Sequence, residues 1–228
     1  MGFRDREEAA EKLAGALMPW AGHHPLVAAI PRGAVPMGAI IARRLQGELD
    51  IVLVRKLPAP GNPEFAIGAV DETGWTYLAD YAPSTGASED YIARQKEIEL
   101  ATMRERRKRY TPDREALDAR GRVVIVVDDG LATGATMLAA LHAVRAREPE
   151  RLVCAVPVAS PEALEMIRPH ADDIVCLEVP RYFYAVGQAY WRFPQVPDDE
   201  VIDALRRANA DRPPKGPAET NAAGQRRP

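Results

Sequence analysis

The chain has 228 residues, 46% of them hydrophobic, with 30 Lys and Arg against 33 Asp and Glu for a net charge of -3. That length suits one domain, or one domain with a small appendage, and the apolar fraction supports an ordinary globular core. The charge argues against a general nucleic-acid coat, no apolar run approaches bilayer-spanning length, and Cys154 and Cys176 form no CxxC pair for zinc or redox chemistry.

The opening segment MGFRDREEAAEKLAG is charged and amphipathic, unlike a signal peptide, so a cytoplasmic protein is expected. Residues 4–18 have helical spacing, with Ala9, Leu13, Ala16 and Leu17 on one face. LVAAI, at 26–30, reads as a buried strand, interrupted by PRGAVPMG, and 37–45 as a helix. Residues 51–54 form the next strand, followed by the Pro- and Gly-rich PAPGNPE as a loop. Residues 65–70 and 75–78 suggest two strands of a hairpin around Asp71-Glu72-Thr73-Gly74. A long charged helix is expected over 88–110. Strands at 123–127, 152–156 and 174–177 then alternate with helices at 135–146 and 161–167. Almost wholly apolar strands alternating with helices predict a parallel sheet covered on both faces. The domain is expected to span 1–208. From 209 to 228 the chain is polar and aperiodic, and reads as a disordered tail.

One stretch carries chemistry. VVIVVDDGLATGAT, at 123–136, places Asp128 and Asp129 at the end of a buried strand and directs the chain into a helix through a Gly/Ala/Thr loop. In open α/β sheets ligands gather at such strand ends. The turn can aim several backbone N–H groups at one anion, with the helix dipole adding attraction, while Thr133 and Thr136 supply hydroxyls. Carboxylates beside an anion cradle suit a ligand with a phosphate at one end and hydroxyls or a cation at the other, as in ribose 5-phosphate. Neither GxxxxGK[ST] nor GxGxxG is present.

The stretch resembles the signature of the type I phosphoribosyltransferases: an apolar strand, two acids, and a loop ending in TGxT. The resemblance covers about 28–190. It implies an α/β, Rossmann-like parallel sheet flanked by helices, with a small hood built from N- and C-terminal segments. It also implies that Asp128 and Asp129 bind the ribose hydroxyls of phosphoribosyl pyrophosphate (PRPP), and that Gly130, Leu131, Ala132, Thr133, Gly134, Ala135 and Thr136 hold its 5-phosphate. Mg²⁺ would arrive with PRPP rather than on a dedicated protein site, with Asp128 and Asp129 nearby. Ile30-Pro31-Arg32-Gly33-Ala34 is similar to the family's pyrophosphate loop, which often holds a non-proline cis peptide, and Gly33 would let the backbone approach the diphosphate. Arg55-Lys56 resembles an Arg-Lys pair beside the pyrophosphate in adenine-type members. Tyr182-Phe183-Tyr184-Ala185-Val186-Gly187 is similar to the segment that presents a ring to the purine, with Phe183 and Tyr184 as the stacking candidates.

Ala132 departs from hypoxanthine–guanine-type members, which carry an acid there for the base. Glu64 is the candidate acid in its place. The family also has a flexible catalytic loop in the region that here spans 70–121 and ends in the basic run Arg104-Glu105-Arg106-Arg107-Lys108-Arg109. That run could reach a departing pyrophosphate, or form a solvated or dimer surface offset by Glu97, Glu99 and Glu105. The resemblance implies a PRPP-dependent transferase acting on a nitrogenous base, with a homodimer common among relatives. Competing readings are a PRPP- or nucleotide-sensing regulator without turnover and a phosphoribohydrolase. The histidines show no metal-ligand spacing.

Overall fold

The computed structural model describes residues 2–112 and 116–210. Five parallel strands form the main sheet, in the order β2-β1-β6-β7-β8: β1 (Leu26–Ala29), β2 (Glu48–Ile51), β6 (Val123–Val127), β7 (Arg151–Val158) and β8 (Asp173–Glu178). The central strands are apolar on both faces because helices cover both. Val27, Ile125 and Val153 face the cluster that contains α1 (Arg6–Ala16) and α2 (Ala34–Leu45). Leu26, Val124 and Cys154 face the opposite cluster, with α4 (Ala135–Arg145) and α5 (Pro161–Ile167). The register pairs Val127 with Ala29 on one side and Ala155 on the other, so β1 and β6 end side by side.

The remaining strands, β3 (Val54–Ala59), β4 (Asn62–Asp71) and β5 (Thr76–Leu78), make a small antiparallel sheet. The expected strand at 51–54 is therefore divided between β2 and β3. The segment expected as a PAPGNPE loop is the β3–β4 hairpin, with a register irregularity around Pro58, which has no N–H to give a ladder. The expected β4–β5 hairpin is present. Among the described residues, the region compared with a catalytic loop includes β5 and α3 (Glu89–Tyr110).

On α1 the buried face is Ala9, Ala10, Leu13 and Ala14, continued by Leu17, while Ala16 is exposed. The N-terminal segment meets residues 189–191: Phe3 pairs with Tyr190, Phe3 N donates to Ala189 O at 2.7 Å, and Trp191 N donates to Phe3 O at 2.9 Å. A sixth helix, α6 (Asp198–Asn209), was not expected. It buries Val201 and Leu205, one turn apart, while packing beside α2. From residue 211 the expected tail lies outside the described residues.

Candidate active site

The adjacent ends of β1 and β6 place the 30–33 loop against Asp128 and Asp129. Ile30 N donates to Val127 O at 3.0 Å, which ties the two strand ends together. The Pro31–Arg32 peptide is cis. Gly33 packs so closely on the acids that an added Cβ would collide with Asp129 Oδ2 and lie 3.0 Å from Arg6 Nε.

After the acids the chain is pinned to its neighbours. Leu131 N donates to Val158 O at 2.9 Å and Ser160 N to Leu131 O at 3.0 Å, extending β7 by one bridge at Leu131 and Ala159. The Ser160 hydroxyl has two bonds. It accepts from Ala163 N at 3.0 Å, capping α5, and donates to Ala132 O at 2.8 Å. Gly134 takes a left-handed conformation, φ 80°, as the residue before α4. The first N–H groups of α4 therefore open onto the loop with no partner within their helix.

A cavity of about 300 Å³ lies here, lined by the 30–33 loop, Lys56, Asp128, Asp129, the 130–134 loop, Thr136, Met137 and Val186. It brings together most of the residues expected to share a ligand: Asp128, Asp129, Gly130, Leu131, Ala132, Thr133, Gly134, Thr136, Arg32, Gly33 and Lys56. Ala135 faces a neighbouring cavity instead.

Other expected residues are placed elsewhere. Arg55 does not join Lys56. Its Nε donates to Glu99 Oε2 on α3 at 2.6 Å, because alternate residues of a strand face opposite ways. Phe183 packs against the core, and Tyr184 is 80% exposed and touches neither this cavity nor its neighbour. Val186, two residues on, is the member of that segment that reaches the cavity, seated against Gly130. Glu64 falls on β4, but its side chain lies outside what the structure describes. The basic end of α3 is paired away: Arg107 with Glu72 and Asp50, and Arg109 with Asp198 and Asp199. Arg32 Nη1 also faces Asp198, at 3.7 Å, so the 30–33 loop is tied to α6. Tyr110 completes this group by donating to Asp198 Oδ1 at 2.6 Å. Burial, then that bond, raises its phenol to about 12.

Two functional neighbours lie far away in sequence. Arg6, in the first turn of α1, donates Nε to Asp129 Oδ2 at 2.8 Å, and its Nη2 lies 2.8 Å from the same oxygen as an ion pair. Its Nη1 donates to Pro194 O at 2.7 Å, and its guanidinium lies 3.7 Å from the Phe193 ring centroid. Tyr190 Oη donates to the Asp129 carbonyl at 2.6 Å. Asp128 Oδ1 accepts from Asp129 N at 2.8 Å. Burial pushes both carboxyls above the usual range. Asp128 rises further, burial first and the neighbouring Asp129 charge second, whereas the Arg6 cation pulls Asp129 back. Among the described residues no cluster of three or more His, Cys, Asp or Glu could hold a metal ion, and no helix is long and apolar enough to cross a membrane.

A model of the phosphoribosyl transferase domain matches residues 4–193, and the chain belongs to that family. Two provisionally named phosphoribosyl transferases of Mycobacterium tuberculosis, from strains CDC 1551 / Oshkosh and ATCC 25618 / H37Rv, are each 39% identical over 213 residues. The match takes in 92% of this chain and 47% of theirs, so the chain spans about half the length of these relatives. The crystal structure of TT1426 from Thermus thermophilus is 47% identical, with a TM-score of 0.76, over 91% of this chain and 99% of that one. The family expected from the acidic strand end is thus the one to which the chain belongs.

Proposed function

We propose that the protein transfers the 5-phosphoribosyl group of PRPP to a nitrogen of a small base-like acceptor and releases pyrophosphate. The observation that carries this reading is the convergence, in one cavity, of two buried acids, a helix-terminal anion loop, Lys56 and the glycine of the 30–33 loop. The loop at 130–136 holds the 5-phosphate through backbone N–H groups and the Thr133 and Thr136 hydroxyls. Asp129, oriented by Arg6, and Asp128 accept hydrogen bonds from the ribose hydroxyls. Gly33 leaves room for the diphosphate, and Lys56 offsets its charge. As the C1–O bond breaks, its electron pair leaves with pyrophosphate, and the acceptor nitrogen forms the new bond to C1 and loses its proton. The buried floor of the site limits attack by water instead.

Mg²⁺ is the expected companion of PRPP. The donor set fits a shared ion: two carboxylates, too few oxygens for a cage of their own, beside space for the ligand's oxygens. Bound there, it would neutralise diphosphate charge. The reading extends to a cytoplasmic setting and a homodimer, with no role for nucleic acid.

A second reading, a PRPP-sensing protein without turnover, is favoured by one observation. Ala132 supplies no acid at the position where hypoxanthine–guanine-type enzymes are expected to carry one.

Pyrophosphate release from PRPP and Mg²⁺ with a panel of purine and pyrimidine bases tests both readings. Acceptor-dependent release, lost in Asp128→Asn/Asp129→Asn, is expected. PRPP binding with no release under any base would turn the assignment to the sensor. Unchanged turnover in the double variant would overturn the site itself.

A further inference from the structure

The small sheet encloses a second cavity, of about 270 Å³, between itself and the main body. Three aromatic side chains, Phe65, Tyr77 and Tyr81, and the Met166 thioether form its apolar walls, and Lys56 and Thr133 form a polar edge. Those last two residues also line the anion cavity, so the two spaces adjoin across them. Phe65 and Tyr81 are each 45% exposed. Their centroids are 5.5 Å apart, at a tilt of 38°. The wall is held in place: Tyr81 Oη donates to Ala66 O at 2.8 Å, and Gly68 lies so close to the Tyr77 carbonyl that no side chain fits there. The polarizable sulfur of Met166 suits a ring placed against it.

We propose that this cavity binds the planar ring of a second small ligand, an aromatic carboxylate whose anionic group meets Lys56 and Thr133. A cavity of this size suits one or two fused rings. A carboxylate conjugated to a ring lies in its plane, so a ring between Phe65, Tyr81 and Met166 extends its charge towards the polar edge. The site concerns binding and does not require turnover. Because Lys56 and Thr133 line both cavities, bound PRPP would compete with the ligand for these two groups.

The test is calorimetric titration of the full chain, without PRPP, using benzoate, anthranilate and nicotinate as probes and benzamide as the neutral control. The acids are expected to bind, and benzamide about tenfold more weakly for want of the charge. Phe65→Ala on β4 and Met166→Trp on α5 approach the cavity from opposite walls. Each is expected to weaken the acids by about tenfold or more while leaving circular dichroism and thermal unfolding near those of the parent. No binding of any acid up to about 10 mM would overturn the proposal. So would equal affinity in two folded variants, which would place the ligand elsewhere. Because no step reads pyrophosphate, failure here is distinct from failure of the transferase reading.

Discussion

Replacing Arg6 by Met tests whether the N-terminal helix sets the state of the acidic site. The side chains of the pair are only 13% and 17% exposed, and Arg6 Nε donates to Asp129 Oδ2 at 2.8 Å. Removing one member of a buried ion pair costs about 3–5 kcal/mol. Asp129 opens onto a cavity where water can solvate its carboxylate, which reduces the expected loss to about 2–3 kcal/mol at alkaline pH. For a chain of this length that lowers Tm by about 5–10 °C. The pH dependence has a definite sign. Arg6 lowers the folded-state pKa of Asp129 against the upward push of burial, so the variant's value lies above the parent's. The deficit is complete above the variant's pKa and fades as pH falls towards the parent's, where both carboxyls are protonated. Chemical denaturation from about pH 8.5 down to about pH 5 reads this directly. PRPP affinity should fall with it, because a protonated Asp129 offers a hydroxyl less acceptor strength. Arg6→Lys, which keeps the charge but not the guanidinium that bridges Asp129 and Pro194 O, should recover part of both. A deficit that is constant across pH, or below about 0.5 kcal/mol, would refute the role given to this pair.

Gly33→Ala should cost about 1–3 kcal/mol and weaken PRPP binding sharply, since its Cβ would meet Asp129 Oδ2 and press on Arg6; denaturation and calorimetry check it together. Ser160→Ala should cost about 1 kcal/mol through the lost α5 cap, and should also weaken binding of inorganic phosphate by freeing the Ala132 carbonyl. Asp71→Ala should cost about 3 kcal/mol in thermal unfolding, because that fully buried carboxylate accepts from Thr73 N at 2.9 Å, Thr73 Oγ at 2.6 Å and Trp75 N at 3.0 Å, and faces His142 Nδ1 at 3.0 Å. PRPP affinity in that variant should stay within about twofold of the parent, since the network lies outside the anion cavity.

What the sequence reveals depends on the range over which each feature is determined. The 123–136 stretch is legible because its strand, acids and turn are set by neighbours in the chain. The parallel sheet is legible because strands buried on both faces lose the alternation of a half-exposed strand. Lys56 without Arg55 was also within reach: on a strand, consecutive residues point to opposite faces, so both cations could not enter one cavity. The α6 helix left a signal, with Asp198, Asp199 and Glu200 in its first turn, Arg206 and Arg207 in its last, and Val201 and Leu205 on one face, but its polar composition resembled the tail behind it. Arg6 left none, since it meets Asp129 across 123 positions and nothing local distinguishes it from the other surface arginines of a charged helix. His142 is similar: its partner Asp71 and its stacked ring Trp75, 4.0 Å away, belong to another sheet.

The placement of Arg6 and Tyr190 gives the hood a mechanical meaning. One approaches Asp129 from the N-terminal helix and binds its carboxylate; the other approaches from the C-terminal segment and binds its carbonyl. The two segments are themselves joined through Phe3 and residues 189–191, and Arg6 rests on Phe193, which stacks on Tyr190 at 4.7 Å. Asp129 is thus held by a frame made from both ends of the domain, whereas Asp128 is bonded to the adjoining Asp129 N–H, a contact within its own turn. A displacement of α1 or of the 190–193 segment should therefore change Asp129 before Asp128. Substitutions at Phe193, which touches neither acid, should reproduce the Arg6→Met pH dependence in weaker form and leave β6 and its loop intact.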